Sequence, residues 1–140
     1  MWSNEVNLST YLLFEGNCKQ AMELYKSIFG GELGISLVGE TPMKDMFPEF
    51  MHSRVLNARL QSAVVDISAS DWLRPSEQYV QGNNMSLYIS GGSFEETGRI
   101  FSALSNNAVI TDALVEQSFG LYGALKDEFG VCWKFHATKN

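Results

Sequence analysis

What this chain of 140 residues has little of narrows its class. Its two cysteines, Cys18 and Cys132, are too few for a disulfide scaffold. A single bridge between them is compatible with the count, but reduced structural thiols fit it better. Ten basic residues against sixteen acidic ones leave a net charge of −6, and the Lys and Arg are scattered singly. That balance argues against a protein that grips a phosphate backbone. The opening MWSNEVNLST lacks the basic and apolar stretches of a secretory leader. No apolar run approaches the roughly 20 residues that span a bilayer. The expectation is a cytoplasmic protein with neither nucleic acid nor membrane as partner. Phosphate-loop, dinucleotide, nucleophile-elbow and C-x-x-C signatures are all missing.

What is present is a chain whose halves rhyme. Tyr11-Leu12-Leu13-Phe14 runs into Gly16 and then a helical stretch with Ala21, Leu24, Tyr25 and Ile28. The pattern returns at Leu87-Tyr88-Ile89, Gly92, Thr97, Ile100, Phe101 and Leu104, an offset of 76 residues (92 − 16). A repeated strand–helix–strand unit points to a pseudo-symmetric pair of modules in one domain. The surface shared by two such sheets is the place to seek a ligand.

The spacing predicts a strand over 9–15, a helix over 18–29 with Asn17 as N-cap, and a stop at Gly30-Gly31. Strands follow at 32–38, 53–60 and 62–69. Residues 71–84 read as a polar connector, in which Trp72 and Tyr79 either form pocket wall or, as is commoner for connector aromatics, pin the link to the core. The second module opens with a strand at 85–90 and a helix over 94–105 that Ser93 caps and Glu95 and Glu96 favour. Strands are expected near 108–111, 118–125 and 131–137. Module 1 thus spans about 9–70 and module 2 about 85–137. Residues 39–51 break the pattern with Pro42, Pro48, Met43, Met46, Met51, Phe47 and Phe50 among charges. A segment this apolar covers something, either the sheet edge or a pocket.

The segment YLLFEGNCKQAMELYKSIFGGEL closely resembles the opening of PhnB-like proteins, a branch of the vicinal oxygen chelate superfamily with glyoxalase I, bleomycin-resistance proteins and extradiol dioxygenases. SFEETGRIFSAL resembles that branch's second helix. SFGLYGALKDEFGVCWKFH resembles its closing hairpin, with Asp127, Phe129, Gly130 and Trp133, and Ser70-Asp71 resembles the end of its fourth strand. The likeness spans nearly the whole chain. It implies an α+β fold of two βαβββ modules, each a curled half-cup, assembled as a homodimer.

Metal-using relatives hold one divalent ion with four side chains on the concave face. Counting from Tyr25 and from the Asp127 turn, those positions fall at Thr10, Ser86, Ser68 or Asp66, and Lys134. This set is no metal site, since an ammonium offers no lone pair. No metal, no cofactor and no catalytic residue are therefore expected. The branch also carries a methyltransferase description, but no Gly-rich strand-to-helix turn is present to hold a nucleoside cofactor. Relatives often place His two residues before a basic residue in the third strand, where this chain has Asn57. The reading is a metal-independent protein that binds a small organic molecule. Thr10, Leu12, Phe14, Asp66, Ser68, Ser86, Lys134 and His136 line the cup. Met46, Phe47, Phe50 and His52 form a lid, Lys134 anchors an anionic or carbonyl group, and Asp66 pairs with it when the cup is empty. The alternatives are a glyoxalase-type lyase, isomerase or dioxygenase using Asp66, His52 or His136 on a metal, and a structural dimer without ligand.

Overall fold

The structure is a computed structural model that describes residues 5–139. The chain divides into two compact units, Met1–Tyr79 and Val80–Asn140. Each unit holds one helix and one four-stranded sheet, so the architecture is α+β with a βαβββ module in each half.

In the first unit, β1 (Thr10–Phe14), α1 (Cys18–Phe29), β2 (Glu32–Leu37), β3 (Val55–Gln61) and β4 (Asp66–Asp71) give a sheet in the order β1-β4-β3-β2. β1 runs parallel to β4, and the other neighbours are antiparallel. α1 forms where the apolar period demands it and stops at Gly30 and Gly31, whose φ values of 72° and 90° suit residues without a Cβ. Its buried stripe is Cys18, Ala21, Met22, Tyr25, Ile28 and Phe29. Leu24, expected inside, is only half-buried because Met22 takes the centre of the stripe. The stripe packs across β2, β3 and β4, over Ala58, Leu60, Ile67 and Ala69.

The α1 N-terminus departs from expectation. The Asn17 side chain makes no capping bond. Asp71, at the end of β4, does the work from 53 residues away. Its Oδ1 accepts from the Gly16 and Cys18 N–H groups at 2.9 and 3.0 Å, and its Oδ2 from the Val55 N–H at 2.8 Å. A buried carboxylate at a helix N-terminus satisfies orphan donors and the helix dipole together. The residue read as the start of the connector is therefore the keystone joining β1, α1, β3 and β4. Trp72 and Tyr79 behave as expected. The Trp72 indole N–H donates to the Glu77 carbonyl, the Tyr79 hydroxyl donates to the Leu13 carbonyl at 2.7 Å, and the two rings meet edge-on.

The second unit contains β5 (Leu87–Ser90), α2 (Phe94–Leu104), β6 (Val109–Gln117), β7 (Gly120–Lys126) and β8 (Cys132–Ala137), in the order β5-β8-β7-β6. Ser93 caps α2 by accepting the Glu96 N–H at 3.0 Å. β6 is far longer than the 108–111 stretch expected, because it pairs with β7 down to Gln117 through two register shifts. The turn at Asp127 is built like the Asp71 site. Its Oδ1 accepts from the Phe129 and Val131 N–H groups, and its Oδ2 from the Trp133 indole at 2.9 Å.

Both cysteines are free thiols. Cys18 is fully buried, and burial first, then the Asp71 charge, push its pKa up to about 12. A thiol so far above the usual range is unreactive at neutral pH. We expect Ellman's reagent to label Cys132 in the native protein and Cys18 only after denaturation. The linkage sign is definite. The unfolded thiol ionises near pH 9.0 while the folded one resists to about 12, so the contribution is complete below about pH 9 and lost between there and 12. Cys18→Ala should flatten the alkaline fall in stability measured by urea unfolding. An unchanged slope would contradict this.

Candidate functional site

Strand register assigns each side chain to the helix-packed face of its sheet or to the open face. In the first sheet, Thr10 pairs with Ile67, Leu12 with Ala69 and Phe14 with Asp71. All three therefore share the face of the α1 core, and Phe14 is 1% exposed. Asp66 and Ser68 lie on the opposite face, with Gln61 and Arg59 as their partners on β3. The expectation that Thr10, Leu12 and Phe14 join Asp66 and Ser68 in one lining is overturned. The β1 side chains on the open face are Tyr11 and Leu13, which are 56% and 43% exposed.

The cause is a phase difference between the modules. The β1–α1 turn contains one residue of positive φ, Gly16, whereas the β5–α2 turn contains two in succession, Gly91 and Gly92. The two turns are equal in length, yet β5 is out of phase with β1 by one position relative to its helix, and a one-residue slip exchanges the faces of a strand. The offset of 76 superposes helix on helix, but carries Thr10 on a helix-packed face to Ser86, the residue before β5 in phase with the open face.

The Asp66 carboxylate is held by the Arg59 guanidinium through two bonds at 3.0 and 3.1 Å, so its ion-pair partner is Arg59 on the neighbouring strand where Lys134 was expected. That hydrogen bond holds the Asp66 carboxyl below its ordinary pKa. His52 is a clamp on its own loop. Its Nε2 faces the Lys44 and Phe47 carbonyls at 2.8 and 3.2 Å, and since carbonyls only accept, Nε2 carries the proton. Residues 38–51 form three short 3₁₀ turns anchored by buried Met51. Phe47 is half-buried there, while Met46 and Phe50 are 73% and 69% exposed.

In the second sheet the strand faces alternate as expected. Lys134 and His136 share the open face with Tyr88 and Ser90 on β5 and with Ala124 and Tyr122 on β7. Trp133 and Phe135 point to α2, where Phe135 meets Phe101 edge-on. The open face carries a defined polar chain. The Tyr88 hydroxyl lies 3.3 Å from His136 Nδ1, and His136 Nε2 lies 3.4 Å from the Phe119 carbonyl. The carbonyl assigns the Nε2 proton, so in the neutral ring Nδ1 accepts from Tyr88. The Phe119 ring lies 5.8 Å from the imidazole and 6.4 Å from Tyr122. Lys134, beside Tyr88 in register, is exposed and makes no ion pair among the described residues. Tyr88, Phe119 and Tyr122 were not among the expected lining. The alternation of Ser86, Tyr88 and Ser90 on a strand parallel to β8 was the available signal for the first of them.

The donor set does not suit the divalent ion of metal-using vicinal oxygen chelate enzymes. Among the described residues no three His, Cys, Asp or Glu side chains come together to hold a metal. The Asp66 carboxylate is bound by Arg59, and the Nε2 of His52 faces two backbone carbonyls.

Residues 6–136 match the family model described as 3-demethylubiquinone-9 3-methyltransferase. The chain belongs to this family. It is 30% identical to the protein YjdN of Escherichia coli strain K12, over 94% of this chain and 95% of the relative. The crystal structure of protein PA1353 from Pseudomonas aeruginosa matches with a TM-score of 0.86 at 26% identity, covering 97% of this chain and 100% of that one. A PhnB protein from Bacillus cereus shares the fold with a TM-score of 0.76 at 23% identity, covering 95% and 100%. The fold is thus shared with a PhnB protein and with a glyoxalase/bleomycin resistance protein/dioxygenase family enzyme from Burkholderia phytofirmans. Ser70-Asp71 and Asp127–Gly130 serve the fold: they tie backbone amides, and at Asp127 an indole, to buried carboxylates.

Proposed function

We propose that this PhnB-like protein binds a small organic anion or carbonyl compound on the open face of its C-terminal sheet, without a divalent metal. The observation that carries the reading is Lys134, exposed and without an ion-pair partner among the described residues, beside the Tyr88–His136–Phe119 chain. Lys134 supplies charge. The Tyr88 proton is committed to His136, so its oxygen accepts from a ligand hydroxyl or amide. The Phe119 and Tyr122 rings offer the apolar surface that binding sites combine with a few polar anchors. The methyl-transfer chemistry of the family description finds less support. The turn amides before α1, Gly16 and Cys18, are already taken by Asp71 and are not open to a cofactor.

The test is calorimetric titration of chelator-treated protein with benzoate, salicylate and 1-naphthoate. At least one aromatic carboxylate should bind. Lys134→Met should weaken it about 10- to 100-fold, the value of one hydrogen bond to a charged group. Thr10→Ala, on the helix-packed face of β1, should leave the affinity unchanged. Binding indifferent to Lys134→Met, or present only after Mn²⁺ or Zn²⁺ is added, overturns the proposal.

A further inference from the structure

The Phe119 carbonyl fixes the hydrogen-bond polarity of a side chain two groups away. It accepts from His136 Nε2, which leaves the neutral ring a single acceptor, Nδ1. Nδ1 in turn takes the one proton that the Tyr88 hydroxyl has to give. The Tyr88 oxygen, on a side chain that is 58% exposed, therefore meets the open face with lone pairs and no proton. Lys134 is its opposite, since an ammonium has three donors and no lone pair. Tyr88 and Lys134 are register partners on adjacent strands. His136, which holds the Tyr88 hydroxyl, lies two residues beyond Lys134 on β8, about 6.6 Å along the strand. The face thus presents a donor cation and an acceptor-only oxygen at different levels of the sheet.

We infer that this site selects hydroxyaryl carboxylates over other organic anions, with the carboxylate on Lys134 and a non-adjacent ligand hydroxyl donating to Tyr88. The inference rests on the binding face proposed above. In it Tyr88 determines specificity, and His136 and the Phe119 carbonyl are positioning groups that act through it. Charge alone would take any organic anion. A ligand hydroxyl gives the Tyr88 oxygen the proton it lacks. An ether oxygen in the same place sets lone pair against lone pair and displaces water without a bond in return. A site built to bond a ligand hydroxyl rejects the analogue without it for this reason. Position matters too. The hydroxyl of salicylate bonds internally to its own carboxylate, whereas one at ring position 3 or 4 stands clear of it. The Phe119 ring, 5.8 Å from the imidazole, and Tyr122 supply the aromatic surface that suits an aryl ligand.

The test is calorimetric titration of the full chain at pH 8, where an ordinary imidazole is neutral. The ligands are 3- and 4-hydroxybenzoate and the corresponding methoxybenzoates. In at least one pair the hydroxy compound should bind about 3- to 10-fold tighter, the value of one hydrogen bond. Tyr88→Phe, at an exposed side chain that should leave the circular-dichroism spectrum unchanged, should remove that preference. His136→Ala should also collapse it although Tyr88 is still present, because the freed hydroxyl proton can then serve a methoxy oxygen. A purely structural role for His136 would weaken both members of a pair alike. Equal binding of both pairs to the unaltered protein, with Lys134→Met still weakening all four ligands, overturns the selectivity and leaves the binding face standing. A preference that survives Tyr88→Phe or His136→Ala overturns it as well. No binding of any of the four overturns the binding face and the selectivity together.

Discussion

Asp71→Ala is expected to lower stability by about 3–6 kcal/mol, enough to melt the N-terminal module well below the parent's unfolding temperature. The residue is 2% exposed, and its two oxygens satisfy three backbone donors: Gly16, Cys18 and Val55. Each buried donor left unsatisfied costs about 1–3 kcal/mol. These donors also fix the β1–α1 turn and the start of β3, so the loss falls on the module's topology and not on one contact. Asp71→Asn keeps one acceptor oxygen but turns an NH₂ toward one of the three donors, and about half the loss is expected. At about 2–4 °C per kcal/mol for a chain of this size, the Ala variant should melt roughly 10 °C or more below the parent. A shift under about 3 °C would show that Asp71 is not the keystone.

The second large effect is expected at Asp127. Its carboxylate closes the β7–β8 turn through Phe129 and Val131 and accepts the indole N–H of Trp133, which is 1% exposed in the core of the second unit. Asp127→Ala should cost about 3–5 kcal/mol, since a turn is released and an indole donor is stranded in an apolar interior. Trp133→Phe in the Asp127→Ala background should recover part of that loss by removing the stranded donor. This double-mutant coupling, measured by urea unfolding, separates a hydrogen-bonding role from simple packing. Strictly additive losses would contradict the hydrogen-bonded arrangement.

Much of the architecture was legible because local chemistry and tertiary packing agree. α1 begins at Cys18 and ends at Phe29, where its apolar period and the Gly30-Gly31 stop placed it, and Ser93 caps α2 as expected. The failures are tertiary. Asn17 has the right chemistry for a cap, but Asp71 arrives from β4 and takes the amides first. Asp66 and His52 are chemically plausible ligands that had already found Arg59 and two carbonyls. The face of β1 was lost by a single residue because strand phase depends on the turn that follows. The sequence did carry the clue, since Glu15-Gly16 stands where the second module has Gly91-Gly92. On the C-terminal sheet the alternation of Cys132, Lys134 and His136 against Trp133 and Phe135 was unambiguous, and there the expected face is the observed one.

The central claim is that the open face of the C-terminal sheet takes a ligand without a metal. Its most direct test is amide chemical-shift mapping of the chelator-treated protein during titration with the aromatic carboxylate of highest affinity. Perturbations should centre on Tyr88, Ser90, Phe119, Tyr122, Lys134 and His136, with the Asp71 and α1 amides unmoved. Shifts centred on the first unit, or none until a divalent ion is supplied, would contradict it.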